Sequence, residues 1–221
     1  VDQVAAWKQQ LAYPDPDRAD LPPAARERAR TATHENEDVV ALYHHFEKHR
    51  RGEGWLTYPD MLREAWVALM HDDALRADVQ NAYRFVVVDE FQDVNNLQVR
   101  LIQKILKDET QLFCVGDDWQ SIYGFRGSNV DYTVNFKNHF KGAEVVKLTK
   151  NYRSMPSIVE AGNHVISYNE HKVDKTVLAR KEGQTKIHLY AGKDEVANVE
   201  YVADAVRQLY EQDYQKEDIL I

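Results

Sequence analysis

Cysteine is nearly absent from this chain of 221 residues: Cys114 is the only one. An internal disulfide is therefore excluded, a thiolate metal cluster has no support, and a reducing, cytoplasmic setting is the expectation. Long apolar runs are missing too. No stretch approaches the roughly 18 residues that cross a bilayer, and Val1-Asp2-Gln3 lacks the charged start and apolar stretch of a secretion signal, so no membrane partner is expected. Internal repeats and low-complexity tracts are also lacking. What remains has enough apolar character for a packed core, at 43% hydrophobic residues with 29% charged and a mean hydropathy of -0.61. The length suits one large domain or one and a half ordinary ones.

The net charge of -8 argues against bulk coating of nucleic acid, but the charge is unevenly spread. Residues 1–93 hold 11 Lys and Arg against 18 Asp and Glu. Residues 119–157 reverse the balance with 6 against 2, and Arg126, Lys137, Lys141, Lys147, Lys150 and Arg153 alternate there with Tyr123, Phe125, Tyr132, Phe136 and Tyr152. Cations interleaved with aromatic rings suit a single-strand or nucleotide site. A solvated face over ordinary core aromatics would give the same pattern.

Hydrophobic spacing divides the chain into helices and strands. Val4, Trp7 and Leu11 lead into a break rich in Pro and Asp, then a long polar helix is expected from about residue 24 to 51. Gly52-Glu53-Gly54 separates it from an amphipathic helix carrying Met61, Leu62, Ala65, Trp66 and Leu69. Strands are expected at 85–88, 112–115 and 145–148, with a helix at 97–106 between the first two. Continuous apolar strands alternating with helices predict a parallel sheet covered on both faces. Further on come a helix to about residue 168, a strand at 186–190, a helix at 194–210 whose Val196, Val199, Val202, Val206 and Leu209 read as core, and the start of a strand at Asp218.

The apolar run Phe85-Val86-Val87-Val88 ends in Asp89-Glu90, which puts two carboxylates at the carboxyl edge of a parallel strand, where open α/β sheets bind ligands. One such carboxylate can hold Mg²⁺ and its neighbour can activate a water. The string continues as Asp89-Glu90-Phe91-Gln92-Asp93. Two more follow: residues 115–128, from Val115-Gly116-Asp117-Asp118-Trp119-Gln120 through Ser121-Ile122-Tyr123-Gly124-Phe125-Arg126 to Gly127-Ser128, and then Leu148-Thr149-Lys150-Asn151-Tyr152-Arg153-Ser154.

These three strings resemble motifs II, III and IV of superfamily 1 DNA helicases of the UvrD/Rep/PcrA type, in the same order and at similar spacing. The resemblance covers most of residues 55–221 and is looser upstream. It implies an α/β fold of the P-loop NTPase (RecA-like) type, a parallel sheet with helices on both faces, incomplete here, plus a helical inserted subdomain. Residues 1–54 would belong to that subdomain, 55–149 to the later half of the first RecA-like domain, and 150–221 to the start of the second. The implied cofactors are ATP and Mg²⁺. Asp89 would bind the metal and Glu90 would act as the base for the hydrolytic water. Gln120 would sense the γ-phosphate, Tyr152 would stack on the adenine and Arg153 would reach the γ-phosphate as an arginine finger. Phe125 would stack on a base of single-stranded DNA, with Tyr123 and Arg126 contacting the strand. The implied partners are single-stranded DNA, duplex junctions and the remaining segments of the parent helicase, with movement from 3′ to 5′.

The sequence departs from the family pattern in three places. Phe125 stands where many members have Trp, and Trp119 where several have a third Asp. The phosphate-cradling loop G-x-x-x-x-G-K-[ST] is not found: the one Gly-Lys pair, Gly192-Lys193, is followed by Asp194 and lacks the upstream glycine. A start without Met and an end inside an expected strand suggest the middle portion of a longer helicase, with little ATP hydrolysis by these residues alone. Two other readings stay open. One is a metal-dependent nuclease, or a helicase-nuclease subunit, using Asp89, Glu90 and Asp93. The other is a non-catalytic DNA-binding module without a phosphate loop. His45 and His49 have the i,i+4 spacing of a metal pair, but with no third ligand nearby they read as a solvated helix face. Cys114 reads as a small buried apolar residue.

Overall fold

The computed structural model describes residues 37–183 and 185–221, so the expected features around Val4, Trp7 and Leu11 and the first part of the long helix lie outside the described residues. The chain divides into two compact units: residues 1–147 with 169–174, and residues 148–168 with 175–221. It mixes helices with two small parallel sheets.

The first unit opens with helices α1 (Glu37–Gly52), α2 (Tyr58–His71) and α3 (Asp73–Ala82). A reciprocal cap starts α2: the Thr57 backbone N–H donates to Asp60 Oδ2 at 3.0 Å, and the Asp60 N–H donates to Thr57 Oγ1. Asp72 caps α3 by accepting from the Leu75 N–H at 2.9 Å. Strand β1 (Phe85–Val88), helix α4 (Asn96–Ile105) and strand β2 (Gln111–Cys114) follow, with Asn95 and Gln98 forming a second reciprocal cap. Strands β1 and β2 pair in parallel, Val86 opposite Leu112 and Val88 opposite Cys114. Two short helices, α5 (Asp131–Val134) and α6 (Phe136–His139), follow.

Helix α4 carries two apolar faces and so joins two cores. Leu97, fully buried, meets Tyr43 and Trp66 of the helical layer, with Leu101, Leu62 and Met70 around them. Val99 and Ile102 pack instead with Phe91, Val94, Val88, Cys114, Phe136 and Phe140 beneath the sheet. Burial there pushes the Cys114 thiol up to about 12. Under the helical layer Arg50 is buried between two carboxylates, donating to Glu47 at 2.9 and 3.1 Å and lying 3.3 Å from Asp60. It also donates to the Trp55 carbonyl at 2.7 Å, which closes the turn between α1 and α2. The guanidinium pKa is raised, first by the Glu47 hydrogen bond.

The sheet differs from the expectation of one sheet covered on both faces. Val86, Val88, Leu112 and Cys114 turn inward, whereas Phe85, Val87, Phe113 and Val115 are exposed among the described residues. Residues 145–148 form no strand: Val146 and Leu148 are exposed and the run has no ladder partner among the described residues. The first unit also takes in residues 169–174, where the Val173 N–H donates to Asp118 Oδ2 at 2.7 Å and Lys147 Nζ donates to the Asp174 carbonyl at 2.6 Å.

The second unit contains β3 (Lys150–Asn151), α7 (Pro156–Ser167), β4 (Leu178–Ala179) and α8 (Glu195–Glu211). Strands β3 and β4 pair in parallel. Residues 186–190 are unpaired rather than a strand, and a 3-10 turn at Lys216–Asp218 stands where a strand was expected to begin. Helix α8 forms as expected, yet Val196, Val199 and Val202 are exposed, so its apolar face is not core among the described residues. No helix among the described residues is long and apolar enough to cross a membrane.

Candidate functional site

Asp89 and Glu90 lie directly after β1, both exposed at its carboxyl end. The Asp89 carboxylate accepts the Glu90 N–H at 2.9 Å. Glu90 has φ 51°, a left-handed conformation that a non-glycine residue keeps only when its surroundings hold it. A 3-10 turn at Phe91–Asp93 then sends Phe91 into the core. The Phe91 N–H donates to the Val115 carbonyl at 2.8 Å, fastening this turn to the loop that follows β2.

That second loop carries Gln120, and one side chain joins it to the first. Gln92 is 2% exposed. Its amide nitrogen donates to Glu90 Oε2 at 2.6 Å, and its amide oxygen accepts the Asp117 N–H at 2.9 Å. Asp117 in turn accepts from Gln120 Nε2 at 2.9 Å. Glu90 and Gln120 are thus the two ends of a hydrogen-bonded chain through Gln92 and Asp117. Gly116 makes room for it, since a Cβ there would sit 3.0 Å from Gln92 Oε1 and 3.1 Å from the Gln92 backbone nitrogen. Gly124 has open space where a Cβ would stand, so close approach explains Gly116 and not Gly124.

Further along the same loop, the Arg126 guanidinium lies over two rings, 4.9 Å from the centre of Tyr123 and 5.4 Å from that of Phe125. Phe125 is 79% exposed, an unusual position for a large apolar ring that no core claims. The segment returns to the first loop through the antiparallel bridge between Asn95 and Ser128 and the bond from Asn129 N–H to the Val94 carbonyl at 3.0 Å. Tyr152 and Arg153 belong to the second unit. They are exposed on a turn after β3, where Asn151 Oδ1 accepts the N–H groups of Arg153 and Ser154 at 2.9 and 2.8 Å.

The model of the UvrD/REP helicase N-terminal domain matches residues 3–141, and that of the UvrD-like helicase C-terminal domain matches residues 146–221. The chain belongs to the UvrD-like helicase family. It is 30% identical to YjcD of Bacillus subtilis (strain 168) over 83% of its own length and 24% of that protein. It is 31% identical to the ATP-dependent DNA helicase Rep of Buchnera aphidicola subsp. Schizaphis graminum (strain Sg), over 76% of the chain and 26% of the relative. With the ATP-dependent DNA helicase UvrD2 of Mycobacterium tuberculosis (strain ATCC 25618 / H37Rv) identity is 34%, over 77% of the chain and 25% of the relative. The chain therefore spans about a quarter of the length of these relatives.

The UvrD-like match does not favour the nuclease reading. Among the described residues no group of three or more His, Cys, Asp and Glu side chains is placed to hold a metal ion. His45 and His49 are exposed on α1, as a solvated face requires. A lone Mg²⁺ ligand is another matter, because a nucleotide-bound Mg²⁺ takes one or two carboxylates and completes its shell with phosphate and water. The exposed Asp89 carboxylate at the strand end fits that demand. Spacing and periodicity do not mark Gln92 and Asp117, since the bond that joins them spans 25 residues. The one signal for Gln92 is an amide enclosed by the string that carries the two carboxylates.

Proposed function

We propose that this chain supplies hydrolysis and strand-contact loops to an ATP-dependent DNA helicase of the P-loop NTPase type, which couples ATP hydrolysis to movement on single-stranded DNA and to duplex unwinding. The observation that carries it is the chain from Glu90 through Gln92 and Asp117 to Gln120, on the same loop as the exposed Phe125 and its Arg126.

In this reading Asp89 holds the Mg²⁺ of the nucleotide and Glu90 takes the proton of the attacking water. Gln120 meets the γ-phosphate. Bound ATP with Mg²⁺ supplies the phosphoryl group whose transfer to water drives the motor. Tyr152 stacks on the adenine and Arg153 offsets charge on the γ-phosphate, a role worth about 1,000-fold or more in rate. Phe125 stacks on a base, which tolerates any sequence because every base has a π-face. Tyr123 and Arg126 contact the strand. The basic balance of residues 119–157 supports that assignment against the acidity of the whole chain. The parsing into a helical subdomain at 1–54, a first RecA-like domain to 149 and the start of a second from 150 is part of the same proposal.

The test uses the complete helicase polypeptide that carries these residues. Single-stranded DNA is expected to stimulate its ATP hydrolysis, and Glu90→Gln to lower turnover by at least about 100-fold, the usual scale for a lost general base. Turnover that survives Glu90→Gln would remove Glu90 from the role.

A further inference from the structure

We propose that Gln92 is a positioning residue for the hydrolysis step, holding Glu90 and the Asp117–Gln120 turn in one hydrogen-bonded chain so that base and γ-phosphate sensor are set together. The inference rests on the function proposed above and adds a residue to it. Three observations carry it. Gln92 uses both ends of a nearly fully buried amide, one on each loop. A buried amide left half satisfied is costly, so its two partners are held jointly rather than one at a time. Glu90 keeps its left-handed backbone beside this amide, with its carboxylate drawn to Gln92 and not left to solvent alone.

The loop geometry reinforces the link at two further points. Ser121 Oγ donates to the Gln92 carbonyl at 3.3 Å, so the residue after Gln120 is tied to Gln92 as well. Gly116 leaves the space that lets Gln92 Oε1 reach the Asp117 N–H. Its φ is not in the left-handed region, so Gly116→Ala changes packing against Gln92 without backbone strain. Asp117 completes the relay by fixing the Gln120 amide and, at 3.3 Å, accepting the Trp119 N–H. A movement of Gln120 on loss of phosphate therefore pulls on Asp117, whose N–H is held by Gln92, whose amino group is held by Glu90.

Two variants separate the two arms. Gln92→Met keeps the length and removes both hydrogen bonds. Gln92→Glu keeps an acceptor for the Asp117 N–H but sets a carboxyl against Glu90. In this chain, hydrogen exchange resolved at the Asp117 amide should show protection in the wild type, loss of protection in Gln92→Met and retention in Gln92→Glu. In the complete helicase, Gln92→Met should lower kcat for DNA-stimulated ATP hydrolysis by about 10- to 100-fold, with KM for ATP and the Kd for single-stranded DNA within about twofold. Gln92→Glu should also lower kcat, because it keeps the arm to Asp117 and loses the donor to Glu90. Gly116→Ala should reproduce the kcat loss in milder form.

An Asp117 amide that exchanges as fast in the wild type as in Gln92→Met overturns the proposal whatever the activity. So does a Gln92→Met kcat within about twofold of wild type. If Gln92→Met does not fold, Gln92→Glu decides: its Asp117 amide should stay protected while kcat falls, and lost protection or an unchanged kcat overturns the proposal. An active Glu90→Gln enzyme would instead overturn the function proposed above while leaving the exchange result to judge Gln92.

Discussion

The guanidinium of Arg126 lies 4.9 Å from the ring centre of Tyr123 and covers the neighbouring Phe125 ring at 5.4 Å, so one cation holds two aromatic side chains at the surface of a single loop. Such contacts are individually modest, on the order of 0.5–1 kcal/mol at exposed sites, but they restrict the rings before a base arrives. Phe125→Ala should weaken single-stranded DNA binding by ~1–3 kcal/mol, about 5- to 150-fold, across all sequences. Phe125→Trp should strengthen it by enlarging the platform. Fluorescence anisotropy with oligonucleotides of different composition, repeated over a range of salt, checks both; unchanged affinity in Phe125→Ala would count against stacking.

The buried Arg50 makes a second prediction, this one about the fold. Its partners Glu47 and Asp60 are themselves buried, so removing Asp60 breaks one of two buried ion pairs on the same guanidinium. Asp60→Ala should destabilise the first unit by ~3–5 kcal/mol, since it also breaks the cap of α2. Thr57→Ala should cost only about 1 kcal/mol. Urea unfolding followed by tryptophan fluorescence distinguishes the two.

Cys114 gives a probe that needs no mutation. Its thiol is pushed up to about 12 by burial between β1, α4 and the short helices, so it stays protonated at neutral pH. Alkylation of the folded chain should be slow and should become fast in denaturant. A thiol that reacts as quickly in buffer as in denaturant would show that the packing around Val88 and Ile102 is not held in solution.

Asp131 ties acid stability to a specific cluster. Its carboxyl is held below the usual range first by the His139 hydrogen bond at 2.9 Å, then by Asn135 at 2.6 Å, with the charges of His139 and His171 adding. A lowered folded pKa stabilises the fold at pH above the ordinary Asp value of about 3.9, and that contribution is lost as pH falls through the lowered value. Asp131→Asn should therefore flatten the pH dependence of the urea midpoint between about pH 5 and about pH 2, while leaving the spectrum at neutral pH unchanged.

The parts legible in the sequence are those set by local pattern. The runs ending at Val88 and Cys114 are legible as continuous apolar stretches, and the helix ending at Ile105 from its apolar spacing. The reciprocal caps at Thr57 and Asn95 explain why the helices start where they do. Residues 145–148 and 186–190 have strand composition but no ladder among the described residues, since a strand needs a partner that composition does not name. The exposed valines of α8 show the same limit: amphipathic spacing predicts a face and not what covers it. At the site, Asp89, Glu90, Gln120 and Phe125 stand out through their strings, whereas Gln92 and Asp117 matter through a bond between two loops distant in sequence.

ATP hydrolysis measured with and without single-stranded DNA tests the central claim most directly, on the complete helicase, its Glu90→Gln variant and the 221-residue chain in parallel. The account predicts DNA-stimulated turnover by the complete protein, its loss in Glu90→Gln, and little or none from the 221 residues, which carry no G-x-x-x-x-G-K-[ST] loop. DNA-stimulated turnover by the 221-residue chain, or full activity in Glu90→Gln, would contradict it.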